Sequence, residues 1–299
     1  TYFERNEANP LEEDLIIVDE ASMLDISLFY HLLCALKDGA RLILVGDIDQ
    51  LPPVGAGEPL KDLMSWGYVP IVRLKRIFRQ EEGSGIVENA ALIRKGEMCV
   101  PDEAGEFRIV YAADDEDAYR IVMDLCRELN YGNEENKMLL QVLSPLYRGV
   151  CGVDHLNESL QEMIHGEKVP DGMKFFPGDK VMQTRNDYEK GIYNGDVGTV
   201  WTATPQKVFV RYFDKEVVYE GEERFDLRLA YAVTVHKSQG SEYETVIFIL
   251  RPSQHNMLQR NLLYTGVTRA RKNTILVTAP DALRRALAIQ HTGNRYSLF

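Results

Sequence analysis

Directly after the apolar run L-I-I-V at Leu15–Val18 stand two adjacent carboxylates, Asp19 and Glu20. A second apolar run, Arg41–Val45, ends in Gly46-Asp47-Ile48-Asp49-Gln50 and continues into the stiff segment L-P-P-V-G-A-G. In a parallel sheet the C-terminal ends of the strands face the ligand crevice, so side chains placed there meet a ligand rather than the core. A carboxylate pair at such a place suits two tasks, one carboxylate holding Mg²⁺ and the other polarising an attacking water. A neutral amide held beside them can report on a γ-phosphate. An acidic pair alone is ordinarily a solvated strand end, and a Gly/Pro loop alone is ordinarily a turn. It is the two strand ends taken together that point to phosphoryl chemistry.

The elements that must carry these residues follow from patterning. Leu15–Val18 and Arg41–Val45 have the continuous look of strands buried on both faces, and a helical stretch near Ser27–Leu36 separates them. Strand, helix, strand at this spacing is a βαβ unit and predicts a parallel sheet. Further strands are expected at Met138–Leu143, Thr245–Leu250 and Asn273–Val277. Helices are expected at Gly85–Arg94, Glu116–Leu129, Val153–Gln161, Leu258–Ala270 and Asp281–Gln290, giving a second α/β layer. Between Pro177 and Leu229 the turns G-D-K, Y-N-G-D and F-D-K-E separate short alternating runs such as Val208–Phe213, the pattern of a small inserted antiparallel barrel. The expected domains are 1–75, then 76–176 together with 230–299, and the barrel at 177–229.

A chain of 299 residues accommodates two compact domains and a small insert. Its net charge of −12 argues against coating nucleic acid through bulk positive charge. A locally basic groove is still compatible, because salt screens each charge beyond about 8–10 Å. No apolar run is long enough for a membrane-spanning helix and the acidic start lacks the features of a signal peptide, so a cytoplasmic protein with no membrane partner is expected. Cys34, Cys99, Cys126 and Cys151 lie far apart without a C-x-x-C pair, which argues against zinc and a disulfide framework and for reduced, mostly buried thiols.

Three more segments follow Asp19–Ser22 and Gly46–Gly57 in order: L-K-R-I-F-R-Q at Leu74–Gln80, T-V-H-K-S-Q-G-S-E at Thr234–Glu242 and Y-T-G-V-T-R-A-R at Tyr264–Arg271. The five resemble motifs II to VI of superfamily 1 helicases. The L-P-P-V-G-A-G ending, V-L-S-P-L-Y-R-G at Val142–Gly149 and the barrel opening G-D-K-V-M-Q narrow the resemblance to RecD-like helicases, the family of the exodeoxyribonuclease V alpha subunit. That resemblance implies an α/β fold of RecA-like parallel-sheet motor domains, the first one partial, with an inserted Src-homology-3-like antiparallel β-barrel. It also implies ATP and Mg²⁺ as cofactors, single-stranded DNA as partner, 5′ to 3′ movement, and repair or recombination subunits as further partners.

The resemblance implies a role for each matching residue. Asp19 would hold the metal, Glu20 would be the general base and Gln50 would sense the γ-phosphate. Arg79 and Arg269 would be arginine fingers, whose planar permanent charge suits a phosphoryl group gathering negative charge. Gly240 and Glu242 would lie near the nucleotide. Thr234, His236, Lys237 and Ser238 would face the single strand, where hydroxyls, an ammonium and backbone amides can grip phosphates regardless of base sequence. Ser144, Pro145 and Arg148 would form a further strand-contact segment. A satisfied core imidazole remains the other reading of His236. In the barrel, Asn186, Asp187, Tyr188, Tyr193 and Asn194 surround a hairpin, where the tyrosines either stack on unpaired bases or stabilise the barrel.

The sequence departs from the family pattern in one large respect. No G-x-x-x-x-G-K-[ST] occurs, and Lys237-Ser238 is no substitute because no glycine-rich loop precedes it. The chain is therefore expected to start inside the first motor domain and, alone, to neither bind ATP tightly nor hydrolyse it. Gly266 falls in an expected helix, where glycine costs roughly 0.5–1 kcal/mol relative to alanine, and nothing in the sequence accounts for it. Pro101-Asp102 with Glu135-Asn136-Lys137 mimics a nuclease pattern, but its second half sits in a polar turn. Two rival readings are a superfamily 1 RNA helicase and a non-catalytic single-strand-binding motor remnant.

Overall fold

The computed structural model describes residues 3–74, 83–170 and 172–290. Arg79 and most of the segment Leu74–Gln80 lie outside the described residues. The chain forms two compact units, residues 1–78 with 289–299 and residues 79–288.

In the first unit, β1 (Leu15–Val18), α1 (Ile26–Cys34), β2 (Arg41–Leu44) and α2 (Pro59–Trp66) follow in order. The strands pair in parallel from Leu15 opposite Arg41 to Val18 opposite Leu44, as the βαβ pattern predicts. Asp25 caps α1, its carboxylate accepting the Leu28 backbone N–H at 2.8 Å. The expectation of strands buried on both faces is corrected, since Leu15, Ile17, Ile43 and Val45 are all exposed, Ile17 by 60%. Successive side chains of a strand point to opposite faces, and here Ile16, Val18, Leu42 and Leu44 are half-buried on one face while the other stays uncovered.

The second unit runs α3 (Gly85–Lys95), β3 (Phe107–Tyr111), α4 (Asp115–Glu128), α5 (Glu134–Leu139), β4 (Leu140–Ser144) and α6 (Val153–His165). The barrel strands follow, β5 (Lys180–Gln183), β6 (Val197–Ala203), β7 (Lys207–Arg211), β8 (Glu216–Glu220) and β9 (Leu227–Leu229). The chain then returns through β10 (Ala232–Thr234), β11 (Tyr243–Leu250), α7 (Arg260–Val267), β12 (Ala270–Thr278) and α8 (Pro280–Ala288). The larger sheet has the order β10-β4-β11-β12-β3 with every pairing parallel, and the barrel sheet has the order β8-β7-β6-β5-β9 with every pairing antiparallel.

Several elements differ from the sequence reading. The strand expected from Met138 starts at Leu140, because Asn133 caps α5 by accepting the Glu135 N–H and carries the helix through Leu139. The helix expected over Leu258–Ala270 is α7 alone, and Ala270 already belongs to β12, which leaves Thr268 and Arg269 at the junction. β3, β10 and α2 were not anticipated; β10 is only three residues long, and the apolar residues of β3 and α2 are interrupted by polar ones.

The barrel joins the parallel sheet through two buried charges, Asp179 and Lys180. Asp179 is fully buried and accepts from His165 Nε2 at 2.8 Å, Gln161 Nε2, the Phe176 backbone N–H and the Tyr231 hydroxyl. Lys180 Nζ donates to Leu140 O at 3.1 Å and Gln141 Oε1 at 2.9 Å, and lies 5.7 Å and 5.5 Å from the ring centres of Tyr131 and Tyr243. Gln141 Nε2 in turn donates to Ala230 O and Tyr231 O. A buried charge is tolerated when its hydrogen-bonding groups are satisfied, and these are.

Burial, reinforced by repulsion from Lys137, pushes the Lys180 ammonium down to about 7. An unfolded lysine titrates near 10.4, so between these two values the unfolded chain binds more protons and stability rises with pH. The cost of burial is fully present below about pH 7 and relieved as pH climbs toward 10. In Lys180→Met this component is expected to vanish. Denaturant midpoints at pH 7 and pH 9.5 should rise more for the wild type than for the variant, and equal changes would show that Lys180 stays charged throughout.

Candidate nucleotide and nucleic-acid sites

On the first unit, the ends of β1 and β2 leave the sheet side by side. The Val45 N–H donates to Val18 O and the Ala21 N–H donates to Val45 O, both at 2.8 Å, so the Asp19–Ser22 turn is laced to the start of the Gly46–Gln50 loop. Glu20 takes a left-handed backbone conformation (φ 50°, ψ 37°) that non-glycine residues rarely adopt, and its N–H donates to Asp19 Oδ1 at 2.8 Å. Such strain persists where surrounding structure over-determines it, and functional sites concentrate it. Gly46 is required by contact, since a Cβ there would lie 2.9 Å from Ser22 N and 3.1 Å from Ala21 N. Gln50 Oε1 and Ser22 Oγ are buried without a hydrogen-bond partner among the described residues. Carboxylates at one strand end and an unsatisfied amide oxygen in the loop from its neighbour fit one side of a magnesium-bound triphosphate. No G-x-x-x-x-G-K-[ST] loop, the usual phosphate cradle, occurs in this sequence.

On the second unit, the Thr234–Glu242 segment leaves β10 in a tight turn. Thr234 Oγ1 accepts the Lys237 N–H at 3.2 Å, and Ser238 Oγ donates to Val235 O at 2.8 Å. Thr234 and Ser238 are buried, so these hydroxyls are engaged in holding the turn, whereas the sequence reading had them facing the strand. Ser144 is likewise fully buried, donating to Cys151 O and accepting from Gln254 Nε2 at 3.3 Å, and Pro145 is buried beside it. His236 is half-buried, and burial holds its imidazole below the usual value.

Lys237 and Arg148 remain at the surface of this segment. Lys237 Nζ reaches Asn194 Oδ1 of the barrel hairpin, and burial, then the nearby Arg228, lowers its ammonium from the ordinary value. Both residues line an open cleft of about 1000 Å³ between the parallel-sheet body and the barrel, which contributes Thr184, Arg185 and Arg228. Arg185 and Arg228 carry no motif of their own and could not be singled out from the sequence. On the hairpin, Tyr188 and Tyr193 pair edge to face at 6.1 Å between centres and both are exposed. Asn186 Oδ1 accepts the Asn194 N–H, and the Asp187 and Ile192 backbones bridge each other.

The last two segments meet around Arg269, which is 3% exposed. Its Nε donates to Thr265 O and its Nη1 to Ser241 O, both at 3.2 Å, while its carbonyl accepts the Tyr243 N–H at 2.9 Å. Glu242 pairs with Arg271 at 3.1 Å, and Gly240 has a left-handed φ of 76° with open space where a side chain would stand. The structure therefore brings Gly240, Glu242 and Arg269 together, with Arg269 turned inward onto backbone carbonyls rather than outward.

Three family models match parts of the chain: an AAA domain over residues 4–108, the SH3 domain of ATP-dependent RecD-like DNA helicases over 156–212, and a UvrD-like helicase C-terminal domain over 229–277. Among curated proteins, the ATP-dependent RecD2 DNA helicase of Deinococcus radiodurans is 37% identical across 99% of this chain, and the RecBCD enzyme subunit RecD of Mycolicibacterium smegmatis is 33% identical across 99%. The chain spans 41% and 56% of those relatives' lengths. Among solved structures, a Bacteroides Pif1 helicase in complex with ADP-AlF3 and ssDNA superposes with a TM-score of 0.59 at 21% identity, covering 92% of this chain and 72% of the other. Pif1 from Candida albicans gives 0.56 at 18%, covering 94% and 75%. These likenesses show the RecA-like helicase fold.

The structure also accounts for Gly266 inside α7. A Cβ there would stand 2.5 Å, 2.8 Å and 2.9 Å from ring atoms of Phe248, which is fully buried in β11. Gly266→Ala is expected to destabilise by about 1–3 kcal/mol through overpacking, despite the better helix propensity of alanine. In a unit of this size that lowers Tm by roughly 2–4 °C per kcal/mol, and Gly266→Ala combined with Phe248→Leu should recover part of the loss in the same thermal melt.

Proposed function

We propose that this chain, a homologue of the RecD and RecD2 helicases carrying their RecD-like SH3 and UvrD-like C-terminal domains, is the part of an ATP-driven DNA helicase that supplies the hydrolytic carboxylates and grips single-stranded DNA. The observation that carries this reading is the pair of laced strand ends, with Glu20 held in a left-handed backbone beside Asp19 and the buried Gln50 oxygen lacking a partner among the described residues. The relatives' names, ATP-dependent RecD2 DNA helicase and RecBCD enzyme subunit RecD, supply the substrate class and support partner subunits of repair or recombination.

The roles follow from chemistry. Mg²⁺, when bound, would neutralise charge on the triphosphate, and Asp19 would hold it through water. Glu20 accepts the proton of the attacking water, and Gln50 orients that water against the γ-phosphate. Arg148 and Lys237 hold strand phosphates at the cleft, contacts that position the strand without reading its sequence. Arg79 and Arg269 are the candidate fingers. The domain scheme of 1–75, 76–176 with 230–299, and 177–229 belongs to the same proposal, as does 5′ to 3′ movement.

In the natural-length protein, Glu20→Gln preserves size while removing the proton acceptor. It is expected to leave ATP binding nearly intact and to slow strand-stimulated hydrolysis by about 10²–10⁴-fold. Hydrolysis above a third of the wild-type rate in a steady-state assay rules Glu20 out as the base. Arg269→Ala is expected to lower kcat by on the order of 10³-fold with little change in KM. A lower Tm should accompany it, because Arg269 also ties α7 to the Ser241 carbonyl. A destabilised variant with unchanged activity per folded molecule would make Arg269 a packing residue only.

A further inference from the structure

Buried polar side chains that take no part in the chemistry above tie together the C-terminal ends of β3, β4 and β11. Arg251, the first residue after β11, is 2% exposed. Its Nε donates to Asp115 Oδ1 at 3.2 Å and its Nη1 to Ala112 O at 2.9 Å, where β3 passes into α4. From its backbone a chain of hydrogen bonds runs to the end of β4. The Arg251 N–H donates to Gln254 Oε1 at 2.8 Å, Gln254 Nε2 donates to Ser144 Oγ at 3.3 Å, and the Ser144 hydroxyl donates to Cys151 O. Cys151 Sγ donates in turn to Asp115 O at 3.3 Å, which closes the circuit on the arginine's own partner. With its oxygen accepting and its nitrogen donating, the buried Gln254 amide satisfies both ends in one orientation only.

Ser144 and Cys151 are the two ends of the loop that carries Arg148. Within it the Val153 N–H donates to Leu146 O at 2.9 Å, the Asp154 N–H to Tyr147 O at 3.0 Å and the Gly152 N–H to Gly149 O at 2.9 Å. A Cβ at Gly152 would stand 2.5 Å from Arg148 C and from Tyr147 O, so the loop leaves no room for a side chain there. A loop closed this tightly moves as one piece, and its place depends on what holds its base. Arg148 is exposed on it and lines the cleft. Replacing a buried polar set by apolar side chains is often neutral for stability, so the distinctive contribution of these bonds is position.

We propose that Gln254, held by Arg251, is a positioning residue for Arg148: through Ser144 it fixes the base of the 144–151 loop, and so the point at which the guanidinium meets a strand phosphate. The proposal rests on the strand-contact reading of Arg148 and adds the residues that set the contact. An arginine engages phosphate through parallel N–H bonds of fixed geometry, which a displaced loop would misalign even with the side chain intact. Neither Gln254 nor Arg251 touches the strand in this arrangement, because both are buried behind the loop.

The test is a double-mutant cycle on the natural-length protein, read by fluorescence anisotropy with oligothymidylate over a range of salt concentrations. Arg148→Ala is expected to weaken binding about tenfold and to make the slope of log K against log salt shallower by about 0.7, the value of one phosphate contact on a single strand. Gln254→Met keeps the length of the side chain and loses both amide bonds, and Ser144→Ala removes a single oxygen. Each is expected to weaken binding at least about threefold and to shift the slope in the same sense. In the Arg148→Ala background neither should cost anything further. A purely structural role would lower Tm, leave the salt slope untouched and cost the same in both backgrounds. Unchanged affinity and slope in Gln254→Met and Ser144→Ala, or equal losses with and without Arg148, overturns the positioning role. An Arg148→Ala protein with wild-type affinity and slope overturns the strand contact itself, and the positioning role with it.

Discussion

A carboxylate and an ammonium that are neighbours in the chain, Asp179 and Lys180, are both withdrawn from water where the barrel meets the parallel sheet. Removing either charge from solvent costs several kcal/mol unless its hydrogen bonds are replaced, so each fixes the positions of its partners. Asp179 collects donors from α6, from the turn at Phe176 and from Tyr231, and Lys180 reaches β4. All four residues of β5 are buried, with Val181 in the barrel core and Lys180 in the junction. A slip of one residue would exchange those two side chains, placing an ammonium among the valines of the barrel. The barrel is thereby held in one register, and the cleft that it forms with Arg148 and Lys237 depends on that register.

The ends of β1 and β2, where the nucleotide is proposed to sit, are organised on a smaller scale. There the constraint is the approach of two loops, with Gly46 packed under the backbone of Ala21 and Ser22 and with Glu20 forced into a left-handed conformation one residue after β1. The first arrangement needs a glycine, and the second holds a non-glycine residue in a conformation that such residues seldom take. Neither needs a large core, and this explains how two strands with an uncovered face still carry an ordered pair of strand ends.

What the sequence disclosed, and what it withheld, divides along the same physical line. Residues whose placement is decided by the chain within a few positions were legible: Asp19 and Glu20 at a strand end, the parallel pairing of β1 with β2, and the alternating runs of the barrel. Residues whose meaning depends on distant partners were not. Ser144, Thr234 and Ser238 bear hydroxyls suited to a phosphate, yet each is buried and engaged within its own turn or with Cys151 and Gln254. Arg185 and Arg228 come to line the cleft only when the barrel folds back on the sheet, and no local pattern marks them. Gly266 is the same case in the core, since its partner Phe248 lies on another element and only the contact between them explains the absence of a side chain. The apparent two-sided burial of β1 and β2 failed because apolar composition reports what a strand can bury and not what covers it.

Arg269 draws these strands of argument together. Its guanidinium cannot be neutralised, so while buried it must keep acceptors, and it has them in the carbonyls of Thr265 and Ser241. Turning it outward toward an anion would break the bond to Ser241 unless the Gly240–Glu242 loop moved with it. Gly240, at positive φ with open space where a Cβ would stand, lies next to that acceptor. Three residues before it stands Lys237, bonded to the barrel at Asn194 and lining the cleft. An arginine that acts on the nucleotide, as proposed above, would therefore act by carrying the loop, whose other end is Lys237, the proposed strand contact bonded to Asn194.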